Sequence, residues 1–199
     1  MIFSLLTAVR IYFRIRSNAL RDWLYLKKEG LSLVLVRWGL GIPLLLATGL
    51  YIFQPQQGAW MYVTLPFGVR ILGIGLGYAA LGIILLSHKA LGRNFSSTLI
   101  IRREHRLVTS GPYRYVRHPM YSGYLLLFIA AFCISRNWLL GGCGVGVIAS
   151  LMTLRIVKEE ALLVERFGAA YEEYRSKTGM FIPLTHKLSS KARDVRDLA

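Results

Sequence analysis

Residues 120–154 read MYSGYLLLFIAAFCISRNWLLGGCGVGVIASLMTL, and Arg136 is their only charge. A helix rising about 1.5 Å per residue needs roughly 17–25 apolar residues to cross a bilayer core. The uncharged runs flanking Arg136, Met120–Ser135 and Asn137–Leu154, have 16 and 18 residues. The stretch therefore reads as two spans, about 119–135 and 138–157, joined by Arg136–Asn137 alone. So short a joint predicts a tight helical hairpin. The glycines at 141, 142, 144 and 146 predict that its helices pack closely.

Upstream lie two further uncharged runs, Trp38–Val69 and Ile71–Ser87, of 32 and 17 residues. They predict spans at about 33–53, with Pro43 inside it, and 68–87, with Gly73, Gly75, Gly77 and Gly82 for close packing. QPQQG at 54–58 breaks the first run, and Trp60 and Tyr62 suit a membrane–water interface. The whole 199-residue chain is 54% hydrophobic and 18% charged, with mean hydropathy +0.45. That composition excludes an ordinary soluble globule, a disordered chain and a disulfide scaffold. The fold class predicted is an all-α, polytopic membrane bundle of four to five transmembrane helices with a cytoplasmic cofactor site. Residues 1–30 read as an amphipathic interfacial helix or a short extra span, 31–184 as the membrane domain, and 185–199 as a polar, flexible tail. The short apolar stretch 2–9 does not read as a signal peptide.

The net charge of +15 invites a nucleic-acid reading, but its placement argues for a membrane. Of 25 lysines and arginines, seven lie in 1–37, seven in 88–119 and nine in 155–199. All ten acidic residues share those segments. This is a positive-inside pattern, with the three basic segments cytoplasmic and membrane lipids, not nucleic acid, as neighbours. Cys133 and Cys143 sit in apolar runs without metal-ligand spacing, so no metal is expected.

Polar residues concentrate in 88–119 and just after the fourth span. His118 precedes Pro119, which suits the first turn of a helix, and Arg117 stands beside it. Free backbone N–H groups, a positive helix end and a guanidinium make an anion receptor. Snorkelling interface residues would read the same way. Arg155, Lys158, Glu159 and Glu160 lie where the hairpin returns to that level. They are either a second half of one site or a solvated helix end. Leu162, Leu163, Phe167, Tyr171 and Tyr174 recur at helical spacing, so 158–177 reads as an amphipathic helix interrupted at Gly168.

Together, GPYRYVRHPMY at 111–121, LGRNFSS at 91–97, KEEALLVERFGAAYEEY at 158–174 and KTGMFIP at 177–183 resemble the isoprenylcysteine carboxyl methyltransferase family and its phospholipid methyltransferase relatives. The likeness runs over about 85–184. RHP-x-Y alone also resembles membrane sterol reductases, and Phe95 stands where the family usually has Trp. The resemblance implies S-adenosylmethionine as methyl donor and a lipidic or prenylated small-molecule acceptor. The sequence has no glycine-rich Rossmann fingerprint, which excludes the soluble methyltransferase fold. It points to Leu107, Val108, Gly111, Tyr113, Arg117, His118, Pro119, Tyr121, Glu159, Glu160, Tyr171 and Tyr174 for the cofactor. Arg117, His118 and the helix start suit its carboxylate, the glutamates its ammonium or ribose, and the tyrosines its base or sulfonium. Arg155 and Glu159 are the candidate catalytic residues: Arg155 to hold a carboxylate acceptor, Glu159 to take a proton from an amine. Carboxyl O-methylation is the leading expectation. Lipid amine N-methylation, a sterol-reductase-like oxidoreductase and a non-enzymatic membrane interaction protein are its rivals.

Overall fold

A computed structural model describes residues 31–54, 56–94 and 106–184, together with Tyr12 and Ile15. The readings of 1–30, of Phe95 and of the 185–199 tail fall outside the described residues. Five helices account for most of the rest: α1 (Leu31–Phe53), α2 (Phe67–Leu91), α3 (Pro119–Ser135), α4 (Trp138–Phe167) and α5 (Ala169–Lys177). No strand occurs among the described residues, as the all-α reading expects. Two isolated bridges, Tyr62 with Asn137 and Val116 with Gly179, tie loops together.

α2 and α4 are long and apolar enough to cross a membrane, while Trp38–Phe53 and α3 are shorter apolar helices. Only 28% and 33% of the most apolar windows of α2 and α4 are buried inside the protein. A core helix of a soluble domain hides most of its apolar surface. Here Leu45, Phe53, Phe67, Leu72 and Val157 point outward, each at least 60% exposed. A continuous apolar exterior of this kind suits lipid and is costly in water.

α4 differs from the sequence reading. No helix boundary falls near residue 157; the fourth span and the following segment form one 30-residue helix. The reason is local. Residues 158–167 contain no glycine or proline and are rich in strong helix formers. The first true break is Gly168, at φ +52, where the expected interruption occurs.

α3 packs between α2 and α4, and α1 lies along α4. Two glycines show how close the approach is. A Cβ on Gly144 would fall 2.0 Å from Cδ1 of the Phe128 ring, and one on Gly123 would fall 2.7 Å from Ile84 Cγ1. The α3–α4 joint is as tight as expected. Arg136 takes the left-handed conformation, at φ 59, and its N–H closes α3 on the Phe132 carbonyl at 2.7 Å. Fully buried Asn137 caps α4, its Oδ1 accepting from Leu140 N at 2.9 Å. The 56–66 connection covers this joint: Val63 N donates to the Arg136 carbonyl at 2.9 Å, and Trp60 and Trp138 meet edge to face at 5.9 Å. One end of the bundle thus holds both short connections. The opposite end gathers 106–118, the charged end of α4, and α5.

Gly144→Ala should therefore destabilise the detergent-solubilised protein by about 1–3 kcal/mol, because the Phe128 ring must move. Gly142→Ala, which meets nothing within 4 Å, should be neutral or slightly stabilising. Equal thermal melts for the two variants would contradict the packing described.

Candidate functional site

The residues at this polar end are brought together by the hairpin. Pro119 opens α3, as its position in the sequence suggests, and places Arg117 and His118 immediately before the first turn. α4 returns antiparallel and presents Arg155 and, one turn on, Glu159 and Glu160. Arg117 Nε donates to Glu160 Oε1 at 2.8 Å, and His118 Nε2 lies 3.2 Å from the same oxygen. Glu159 accepts from Arg155 Nε at 2.7 Å and from the Tyr121 hydroxyl at 3.2 Å, with His118 Nδ1 at 3.8 Å from its other oxygen. Arg175, from α5, approaches Glu160 Oε2 at 3.7 Å. His118 stands between the two carboxylates and links them.

These groups are largely withdrawn from solvent. His118, Arg155 and Glu160 are buried, and the Arg117 side chain is 9% exposed. Glu160 lies past the apolar part of α4, and its carboxyl is pulled down to about 2. The hydrogen bond from His118 is the main cause, opposed by burial and reinforced by Arg117. Within the cluster two guanidiniums, Arg117 and Arg155, face two carboxylates, while Arg175 stands half-exposed at its edge and is shared with Glu172 at 3.6 Å.

Beside the cluster, on the far side of Arg117, lies a cavity of about 120 Å³. Leu107, Val108, Leu163 and Phe167 give it apolar walls, and Tyr113, Tyr171 and Tyr174 add aromatic ones. Burial raises all three phenols, Tyr174 to about 12, so each stays protonated at neutral pH. The Tyr174 hydroxyl donates to the Tyr113 carbonyl at 2.7 Å. The Tyr171 hydroxyl is buried and has no hydrogen-bond partner among the described residues.

The structure thus sorts the expected residues into two groups. Leu107, Val108, Tyr113, Tyr171 and Tyr174 line the cavity, and Arg117 divides it from the cluster. His118, Tyr121, Arg155, Glu159 and Glu160 form the cluster. Gly111 serves the turn into a short 3-10 segment, at φ +61, and Pro119 is buried as a helix starter. Neither lines the cavity. Arg117 and His118 are turned toward the protein's own carboxylates, whereas the sequence reading turned them toward an external anion. Leu91, Asn94, Arg106, Leu163 and Phe167 also line the cavity and were not among the expected site residues. For Leu163 and Phe167 a signal existed, since they continue the helical stripe that carries Tyr171 and Tyr174. The carbonyls of Arg175 and Thr178, which accept from Arg117 Nη1, carry no such signal because backbone oxygens leave no trace in composition.

With this geometry in view, comparison with known proteins is informative. The model of the isoprenylcysteine carboxyl methyltransferase (ICMT) family matches residues 75–165. A protein-S-isoprenylcysteine O-methyltransferase of Schizosaccharomyces pombe is 37% identical over 113 residues, covering 55% of this chain and 48% of that one. Protein-S-isoprenylcysteine O-methyltransferase B of Arabidopsis thaliana is 33% identical over 120 residues, covering 58% and 61%. The matched segments thus span about half the length of these curated relatives. The solved structure of the eukaryotic intramembrane Ras methyltransferase ICMT aligns with a TM-score of 0.55 at 22% identity, over 76% of this chain and 52% of that one. That likeness is one of fold. The resemblance carried by GPYRYVRHPMY and by the first part of KEEALLVERFGAAYEEY is borne out within the matched residues.

The depressed carboxyl of Glu160 makes a pH signature. A group whose folded pKa lies below its unfolded value of 4.5 stabilises the fold above that value, and the contribution is lost as pH falls through the folded pKa. Glu160→Gln should lower the melting temperature at pH 7, and the gap to wild type should close as pH falls from about 4.5 toward 2. A gap that stays constant with pH would mean the carboxylate is not held by this cluster.

Proposed function

We propose that the chain is an S-adenosylmethionine-dependent membrane methyltransferase that esterifies a lipidic carboxylate of the isoprenylcysteine type. The observation that carries this reading is a coincidence of place. Arg117, His118, Tyr121, Arg155, Glu159 and Glu160 all fall within the family-matched residues and close on one another at a single end of the bundle. By likeness to the named relatives, the acceptor is the cysteine carboxylate of a prenylated protein. In this reading α1 to α4 all cross the bilayer, and the end bearing 106–118 and α5 faces the cytoplasm, where basic segments are retained.

The residues present fit the methyl donor. The cavity has flat apolar and aromatic walls for a base, and the orphaned Tyr171 hydroxyl supplies a polar contact for a nucleoside. Leu107, Val108, Tyr113, Tyr171 and Tyr174 would hold it. When bound, the cofactor supplies an electrophilic methyl group on a sulfonium.

The protein's part is to orient and to exclude water. Arg155 is fixed on its helix by Glu159, one turn on, so its guanidinium has a set direction from which to align a carboxylate. His118 and Tyr121 hold Glu159 from the other side. The apolar exterior of the bundle lets a lipid chain approach from within the membrane.

The test uses the full chain in nanodiscs with methyl-labelled S-adenosylmethionine and an S-farnesylcysteine acceptor. A base-labile methyl ester is expected. A base-stable N-methyl product on lipid amines, or no transfer at all, would overturn the proposal. Arg155→Ala should leave S-adenosylhomocysteine affinity nearly intact and lower turnover at least ~100-fold, about 2.7 kcal/mol of barrier. Arg155→Lys should recover only part, since the planar fork is lost. Loss of cofactor affinity in Arg155→Ala would instead assign the residue to the donor pocket.

A further inference from the structure

α5 carries two of the cavity's three tyrosines, yet little holds it in place. It has nine residues, fewer than a helix needs to persist alone in water. Of its side chains, Tyr171 is buried and Tyr174 partly so, while Glu172, Glu173, Arg175, Ser176 and Lys177 are exposed. At its start, Gly168 adopts φ +52 and ψ −129, a conformation that glycine enters at little cost and that separates α5 from the run of α4. Its position therefore depends on tethers at its far end.

Beside the Tyr174 hydroxyl's bond to the Tyr113 carbonyl and the approach of Arg175 to Glu160, the tethers of this end converge on one side chain. Arg117 Nε donates to Glu160 on α4 at 2.8 Å. Its Nη1 donates to the carbonyl of Arg175 at 3.1 Å and to that of Thr178, the residue that closes α5. Both carbonyls lie at the C-terminal end of the helix, where a cation is a favoured cap, although that of Arg175 also accepts from Thr178 N at 3.4 Å. The adjoining backbone continues the contact. Arg117 N donates to the Gly179 carbonyl at 2.8 Å, and His118 N to the Met180 carbonyl at 3.0 Å. One planar guanidinium thus bridges a carboxylate of α4 and the end of α5.

We propose that Arg117 is a positioning residue: its fork fixes the end of α5 against α4, and with it the Tyr171–Tyr174 wall of the cavity. This inference rests on the functional reading only in taking that wall to hold the cofactor. Lysine at the same place keeps a charge but offers one nitrogen where Arg117 uses two, Nε toward Glu160 and Nη1 toward the carbonyls, so it cannot hold both sides in the same geometry.

Two measurements on Arg117→Lys test it. Hydrogen exchange without ligand should show the amides of 169–177 exchanging at least ~10-fold faster than in wild type, with α3 unchanged. Unaltered exchange in α5 would overturn the proposal whatever the enzyme does. A double-mutant cycle with Tyr171→Phe, read as the KM for S-adenosylmethionine, separates positioning from direct contact. Each change should raise KM about tenfold with kcat moved less, and the double variant should be little worse than either alone. Additive effects would mean that Arg117 acts on the cofactor independently of Tyr171, and would overturn it. If wild type binds no cofactor, the functional reading fails while the exchange experiment still decides this one. Should Arg117→Lys not fold, Arg117→Gln is read in the same two ways.

Discussion

Charged groups withdrawn from water must find partners within the protein, and at the polar end of this bundle that requirement organises everything else. Arg117 and Glu160 are 43 positions apart in the chain, yet each depends on the other for its charge to be tolerable. Without Glu160, Arg117 loses its carboxylate partner; without Arg117, Glu160 is left to His118 and the half-exposed Arg175. His118 shares its position between two carboxylates, so a change at Glu159 is felt at Glu160 without direct contact. The loop and the short terminal helix are held to the charged end of the return helix by one network, and neither has an apolar core large enough to hold it independently.

What lets the network form is the packing far below it. The left-handed Arg136 and the cap at Asn137 fold α4 back onto α3 with no slack, and the glycines let the two backbones approach until Phe128 lies over Gly144. With longer side chains there, α4 would stand further off and Arg155, Glu159 and Glu160 would not reach the start of α3. The joint at one end of the bundle and the charges at the other are thus parts of one arrangement.

Much of this was legible in the sequence. Uncharged runs of membrane length, a two-residue joint and clustered glycines anticipated the α3–α4 hairpin, and Pro119 marked the start of α3. The grouping of Arg117 and His118 with Glu159 and Glu160 followed from the hairpin alone. Other features had no local signature. The end of α4 was read too early because a change from apolar to charged residues looks like a boundary, although helix geometry does not depend on polarity. Arg117 was read as facing an outside anion because the competing acceptors are a carboxylate from 43 residues away and two backbone oxygens. The cavity's remaining lining, such as Leu91 and Asn94, comes from the last residue of α2 and the turn just after it, where composition alone announces nothing.

The unbroken run of α4 has a consequence of its own. From Asn137, which is anchored at one end of the bundle, to Glu160 at the other, no loop intervenes to absorb a change in length. Each residue of an α-helix advances the side-chain direction by about 100°. A single insertion or deletion between the cap and Arg155 would leave the membrane-facing composition nearly the same, yet swing both glutamates away from Arg117 and His118. The segment behaves like the shaft of a key. Its surface tolerates wear, because one apolar residue serves lipid much as another does, but the angle between its two ends is set by residue count, and evolution can vary its letters far more freely than their number.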